Sequence, residues 1–202
     1  DGPIVCARFG TCGGITEKAI VGSVVVASGG SGYASRNPDA FAYNYDGSAP
    51  NEDITPKYYM ARVAPAHDGL SAALEQSLSS ALHNDEILMS DRSHGDLVSS
   101  GTNVTAESFY SSQGRIDPEF DDNNDTIIDE VCKFYPDART MEMETFQLFH
   151  LAKCSKQPFH ASAAAIVVAN RANNTTVDGG RLERVEDLGG KATLHAVAMF
   201  EV

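Results

Sequence analysis

Ala161-Ser162-Ala163-Ala164-Ala165-Ile166-Val167-Val168-Ala169 is an almost unbroken apolar run of nine residues. A stretch of that length without polar alternation suits a strand covered on both faces, as at the centre of a sheet flanked by helices. It ends at Asn170-Arg171, a polar pair of the kind expected where a central strand reaches the rim of its sheet. Ligands of open α/β sheets gather outside the carboxyl ends of the strands. The rim around residue 170 is therefore where polar chemistry is to be sought.

Working outward, strands alternate with helices. Ile4-Val5-Cys6-Ala7 reads as a buried strand, and residues 21–28 (VGSVVVAS) as a second, broken by Gly29-Gly30-Ser31-Gly32. Residues 66–83 place Leu70, Ala73, Leu74, Leu78, Ala81 and Leu82 at the spacing of an amphipathic helix. Residues 87–89 and 95–99 read as short strands. The acidic stretch 121–125 leads into a helix holding Ile127, Ile128, Val131 and Phe134, with its acids near the positive end of the dipole and Pro136 as its stop. Residues 145–156 predict another helix and residues 191–202 a last one. Residues 29–61 are polar, without a sustained period, and read as a surface excursion long enough to point to function or mobility. The pattern predicts one α/β domain over residues 1–202 with a largely parallel sheet.

Composition narrows the function. A chain of 202 residues with 42% hydrophobic and 21% charged residues has the make-up of one ordinary globular domain. Its net charge of -13 argues against nucleic acid or an anionic membrane surface as partner, but a pocket of opposite local sign can still hold a small anion. No apolar run approaches the ~20 residues needed to cross a bilayer, and Asp1 opens no leader of the secretory kind. Cys6, Cys12, Cys132 and Cys154 lack the spacing of zinc ligands and read as reduced thiols of a cytoplasmic chain. The glycosylation triplets at Asn103, Asn124, Asn173 and Asn174 read as chance matches. A domain rarely opens on its own core strand, so the expectation is either that Asp1 is not the native beginning or that the gene product is truncated.

Four segments carry chemistry at predicted strand ends. Arg8-Phe9-Gly10-Thr11-Cys12-Gly13-Gly14-Ile15 follows the opening strand as a glycine-rich loop, in which Arg8, Thr11 and backbone N–H groups suit an anion; a turn with a surface arginine fits equally. Its spacing matches neither a Walker loop nor a dinucleotide fingerprint. Phe109-Tyr110-Ser111-Ser112-Gln113-Gly114-Arg115 offers an amide and a guanidinium to a flat ring bearing carbonyl and N–H groups, or is a solvated loop. In Met141-Glu142-Met143-Glu144, Glu144 stands at a helix start, where it could accept sugar hydroxyls or complement the helix dipole. Asn170-Arg171 is the fourth.

Taken in order, Arg-x-Gly-Thr-x-Gly-Gly, Phe-Tyr-x-x-Gln-x-Arg, Glu-Met-Glu-Thr and Asn-Arg after an apolar strand resemble the nucleoside phosphorylase superfamily, and Gln-x-Arg resembles its uridine phosphorylase branch. The resemblance runs from about Ile4 to about Val197, the C-terminal two-thirds of the family pattern. It implies a central mixed sheet flanked by helices. It implies Arg8 and Thr11 as phosphate ligands, Thr11, Met143 and Glu144 as ribose contacts, and Gly13, Phe109, Gln113 and Arg115 around the base. Cys12 matches the loop beside the nucleoside, and Glu142 a supporting acid.

The implied reaction is reversible phosphorolysis of uridine to uracil and ribose 1-phosphate, with Arg8, Glu144 and Arg115 as its catalytic groups. Inorganic phosphate is the co-substrate, and no cofactor or metal is implied. Members of that family share sites between subunits, which implies a homo-oligomer, a dimer or hexamer. The glycine- and arginine-bearing loop and the lent histidine that the family carries near its N-terminus have no counterpart here. His67, His83, His94, His150, His160 and His195 read as ordinary surface or core residues. Purine-cleaving relatives place an acid after the strand matching residues 161–169, where this chain has Asn170, with Asp178 further on. A non-catalytic nucleoside- or uracil-binding protein of the same fold, or a purine phosphorylase or nucleosidase relative, are the alternatives.

Overall fold

The apolar run closing at Ala169 forms the middle of a twelve-residue strand, Phe159–Asn170, that is hydrogen-bonded along both edges. The computed structural model describes residues 2–41, 56–90, 96–120 and 122–201. In chain order the elements are β1 (Ile4–Gly14), β2 (Val24–Val26), β3 (Ser31–Arg36), β4 (Tyr58–Ala64), α1 (Asp68–His83), α2 (Glu86–Ser90), β5 (Val98–Ser100), β6 (Thr102–Ala106), α3 (Ile127–Phe134), β7 (Ala138–Glu142), α4 (Thr145–Cys154), β8 (Phe159–Asn170), β9 (Thr175–Thr176) and α5 (Gly179–Ala198). Single 3₁₀ turns span Pro38–Ala40 and Ser111–Gln113.

The nine strands among the described residues join one sheet in the order β4-β3-β6-β7-β1-β8-β2-β5, with β9 on the end of β8. The sheet is mixed rather than largely parallel: β1–β8, β2–β5, β3–β6 and β6–β7 are parallel, while β1–β7, β2–β8, β3–β4 and β8–β9 are antiparallel. Successive β8 side chains serve opposite faces, as the pleat dictates. Ala164 and Ile166 pack with Val24, Val26 and the leucines of α1, while Ala161 and Ala163 pack with Phe149 of α4. Leu70, Leu74, Leu78 and Leu82 recur every fourth residue along α1 and are fully buried. Truncating any one to alanine costs about 2–5 kcal/mol.

Several expectations change. The glycine-rich segment after Ala7 is no loop: β1 continues to Gly14 and pairs with β8 along its whole length, with one irregularity at Cys12/Gly13. It is ordered by pairing with β8 on one edge, while β7 joins its other edge only at Gly13 and Gly14. The opening strand is half-buried, with Ile4 47% exposed. The stretch 29–61 is no featureless excursion, because β3 and the first half of β4 lie within it and these strands extend the sheet beyond β6; residues 42–55 fall outside the described residues.

Residues 87–89 belong to a helix, not a strand. Asp85 Oδ1 accepts from Leu88 N at 3.0 Å, and both Asp85 oxygens bind Arg184 of α5, at 2.7 and 2.6 Å. The strand expected at 95–99 is β5; residue 95 lies outside the described residues. The last helix begins at Gly179, a dozen residues before its expected start, capped by Asp178 Oδ1 accepting from Arg181 N at 2.9 Å. Gly179, Gly180, Gly189 and Gly190 hide its period in the sequence.

No helix among the described residues is long and apolar enough to cross a membrane. Cys6, Cys12, Cys132 and Cys154 are free. Asn103 and Asn124 are buried, which leaves no room for a glycan at either.

Candidate active site

β1 and β7 place an arginine against two acids. Arg8 Nη2 donates to Glu144 Oε2 at 2.5 Å and lies 3.3 Å from Glu142 Oε2. Gly10 permits this pose, since the Arg8 guanidinium folds across it and a Cβ there would come within 3.0 Å of Nη2.

Glu142, read from the sequence as a supporting acid, is the better anchored of the pair. It closes β7 and is buried. Its Oε1 accepts from Asn103 Nδ2 and Thr105 Oγ1, each at 2.6 Å, while Oε2 accepts from Glu144 N, Thr145 N and Thr145 Oγ1, each at 2.9 Å. Glu142 therefore caps α4 at the positive end of its dipole. Burial alone would raise its carboxyl, but Arg8 and the hydrogen bonds from Thr105, Glu144 N and Asn103 outweigh this and hold it below its ordinary value. Glu144, the residue preceding α4, makes no side-chain cap and turns its largely exposed carboxylate to Arg8.

A second cluster forms where the 3₁₀ turn Ser111–Gln113 meets the end of β8. Gln113 Oε1 accepts from Arg115 Nη1 at 2.7 Å and from Arg171 Nη2 at 2.5 Å. Arg171 Nη1 also donates to the Gln113 carbonyl. The Arg115 guanidinium donates to the Phe109 carbonyl at 2.5 Å and stacks 3.7 Å from the Phe109 ring centroid. The exposed Phe109 ring is thus paired with a cation as well as with Tyr110. Burial lowers the affinity of Arg115 for its proton, and burial followed by the nearby Arg115 brings Arg171 down to about 10. Both remain cations at neutral pH.

The two clusters line one cavity of about 400 Å³. Arg8, Thr11, Gly13, Phe109, Gln113, Arg115, Met143 and Glu144 all border it, so every site residue expected from the sequence is brought together. β1 runs along it from Arg8 to Gly13, a span of about 16 Å at ~3.3 Å per residue. Three guanidinium groups and two carboxylates line it, so its sign opposes that of the chain. Cys12 also borders it, but burial, reinforced by Glu142, pushes its thiol up to about 12. Its Sγ donates to the Ile166 carbonyl at 3.5 Å, and this burial favours the protonated thiol over the thiolate a nucleophile needs.

Arg171 is the residue whose weight sequence reasoning missed, reading it as rim polarity. Arg171 stands just past the end of β8, in a turn, so strand alternation did not mark its side, and only its contacts with Gln113 show where it goes. Its neighbour Asn170 does not enter the cavity. Asn170 Nδ2 donates to the Thr16 and Ala19 carbonyls at 2.9 and 2.6 Å, and Oδ1 accepts from Ala172 N at 2.8 Å. Asp178 is the α5 cap and lies away from it.

Comparison with known proteins places these observations. The family model of the phosphorylase superfamily matches residues 2–200. A uridine phosphorylase structure from the oomycete Phytophthora capsici is 38% identical, with a TM-score of 0.89 over 100% of this chain and 68% of that one. A Trypanosoma brucei nucleoside phosphorylase with uridine phosphorylase activity shares the fold at 18% identity (TM-score 0.69, 97% of this chain, 64% of that one). So does a Toxoplasma gondii purine nucleoside phosphorylase at 16% identity (TM-score 0.57, 96% and 62%). This chain thus spans less than two-thirds of the latter two. No curated protein matches it.

Proposed function

This chain belongs to the phosphorylase superfamily, and we propose that it catalyses the reversible phosphorolysis of uridine to uracil and ribose 1-phosphate. The observation that carries this reading is the convergence of Gln113, Arg115 and Arg171 in the same cavity as Arg8 and Glu144. The similar oomycete protein is a uridine phosphorylase.

In this reading Arg8 and Thr11 hold phosphate, and Met143 and Glu144 hold the ribose. A phosphate oxygen attacks C1′ as the bond from C1′ to uracil N1 breaks, its electron pair leaving with the base. The sugar passes through an oxocarbenium-like state, stabilised by the phosphate and by Glu144. Negative charge spreads over the departing uracil, toward the Gln113 amide and the Arg115 and Arg171 guanidiniums, and the uracil anion then takes a proton from water. Fixed donors aimed at developing charge act as an oxyanion hole does, each worth ~10²–10³ in rate. Inorganic phosphate is the co-substrate, and the scheme uses no cofactor. Asn170, committed to backbone groups, leaves no acid at the place where purine enzymes protonate their base.

A cytoplasmic location fits the free cysteines, and a homo-oligomer fits Tyr110, Ile116 and Phe120, which expose large apolar surface around the 3₁₀ turn. The deciding measurement follows uridine by chromatography with and without inorganic phosphate. Uracil formed only when phosphate is present supports the reading. Equal uracil release without phosphate makes the protein a nucleosidase, saturable binding without turnover a binding protein, and faster cleavage of inosine a purine enzyme.

A further inference from the structure

The short segment before α3 reads from the sequence as acids serving a helix dipole, yet its described residues hold the turn that carries Gln113 and Arg115. Asn124 is buried, and its Nδ2 donates to the carbonyls of Ser111 and Arg115, each at 3.0 Å. Only the NH₂ end of the amide can face two carbonyl oxygens, so the orientation of the side chain is determined. These carbonyls bracket Gln113, whose side chain lies between the two guanidiniums.

The same segment is fastened from beneath. Tyr58 Oη donates to the Asp122 carbonyl at 2.7 Å and lies 2.9 Å from Ser111 Oγ, which is left to donate to it. Arg36 Nη1 pairs with Asp122 Oδ1 at 2.9 Å. Gly114 completes the turn at φ +67°, where a Cβ would come within 2.9 Å of Ile127 at the start of α3.

We propose that Asn124 is a positioning residue for base recognition, holding the Ser111 and Arg115 carbonyls so that the Gln113 amide and the Arg115 guanidinium face the base together. The inference rests on the uridine reading for its substrate, but not for its geometry. An amide that sets two carbonyls on either side of a recognition residue removes alternative turn conformations before the ligand arrives.

The test is Asn124→Asp, which keeps the shape but replaces a double donor by a group that at neutral pH only accepts. Hydrogen exchange reads the clamp without any substrate. The Gly114 and Arg115 amides, bonded within the turn to Ser111 and Tyr110, should exchange at least ~10-fold faster, with the α4 amides unchanged. Steady-state kinetics read the role: KM for uridine should rise ~10-fold or more while KM for phosphate stays within about twofold. Lowering the pH until the new carboxyl protonates should recover part of the uridine affinity, since it can then donate once. A purely structural role would shift both KM values and α4 exchange together.

Tyr58→Phe, a milder change, should move the same quantities in the same direction and decides the matter if Asn124→Asp does not fold. Unchanged exchange in the turn, or unchanged uridine KM despite faster exchange, overturns the proposal. If the wild-type protein does not cleave uridine, the functional reading fails, and turn exchange alone then decides the positioning claim.

Discussion

Arg8 Nη2 and Glu144 Oε2 stand 2.5 Å apart, bringing into direct contact the two residues that the functional reading assigns to different substrates. Glu144 is mostly exposed and Arg8 less so, so water screens the pair and its net worth is small. On that reading, phosphate and Glu144 compete for one guanidinium. Glu144→Gln should lower KM for phosphate by up to about fivefold, the range of a screened ion pair. The same change should lower kcat by ~10² or more through loss of charge beside the oxocarbenium-like sugar. Initial rates with phosphate and uridine varied separately would show a phosphate KM that rises if the competition is absent.

Gln113→Ala with Arg115→Ala should abolish measurable uridine binding, because the proposed base-binding donors are lost together. Isothermal titration with uridine is the measurement. An affinity equal to that of the wild type would remove the base assignment.

Arg171→Met should lower kcat/KM for uridine by about 10–100-fold, the cost of losing charge-assisted hydrogen bonds. Arg171→Lys should recover little, since a point charge cannot reach both the Gln113 carbonyl and Oε1 as the planar fork does. Comparing kcat/KM across the three proteins checks this, and full recovery with lysine would show that charge alone matters.

Glu142 links the site to acid stability. Its carboxyl is held below the ordinary value of 4.5, so its stabilisation is fully present above that pH and is lost as pH falls through the lower folded value. Glu142→Gln should reduce stability near pH 7 by about 1–3 kcal/mol, because both carboxylate oxygens accept hydrogen bonds and the amide NH₂ that replaces one of them faces donors it cannot accept from. The variant should also flatten the acid limb of the stability curve. Urea unfolding at a series of pH values measures both, and an acid limb identical in the two proteins would exclude Glu142 as its source.

Cysteine reactivity should divide by position. Cys154 is exposed, whereas burial holds the Cys12 thiol up at about 12, so ~10⁻⁴ of it is thiolate at pH 8. Alkylation followed by peptide mapping should label Cys154 within minutes and Cys12 only on unfolding. Rapid labelling of Cys12 in the native protein would contradict the buried position on β1.

Helices α1 and α4 were legible from sequence because their apolar residues repeat at helical spacing and touch few special groups. β6 was not, because Thr102, Asn103 and Thr105 are buried polar residues in the core of the sheet. Asn103 and Thr105 find partners in Glu142, Ser31 and Thr140 on other strands, and Thr102 donates to the Gly29 carbonyl. No local pattern announces partners 37 to 74 residues away. α2 failed for a different reason: three apolar residues suit helix or strand equally, and the choice fell to Asp85, which caps the helix while tied to Arg184.

For this protein, residue order determined the central strand and the principal amphipathic helices, because periodicity is local. The groups that border the cavity were named through the resemblance of four motifs in order, since the local chemistry of each motif alone fitted a turn, a solvated loop or a helix-dipole acid as well. Only the tertiary structure decided that the Arg8 segment is strand rather than loop, that Glu142 and not Glu144 caps α4, that Arg171 joins Gln113 while its neighbour Asn170 turns away, and that Asn124 fastens the turn carrying Gln113. Each of these turns on a hydrogen bond or ladder pairing between segments far apart in the chain, where burial leaves a polar group few choices of partner.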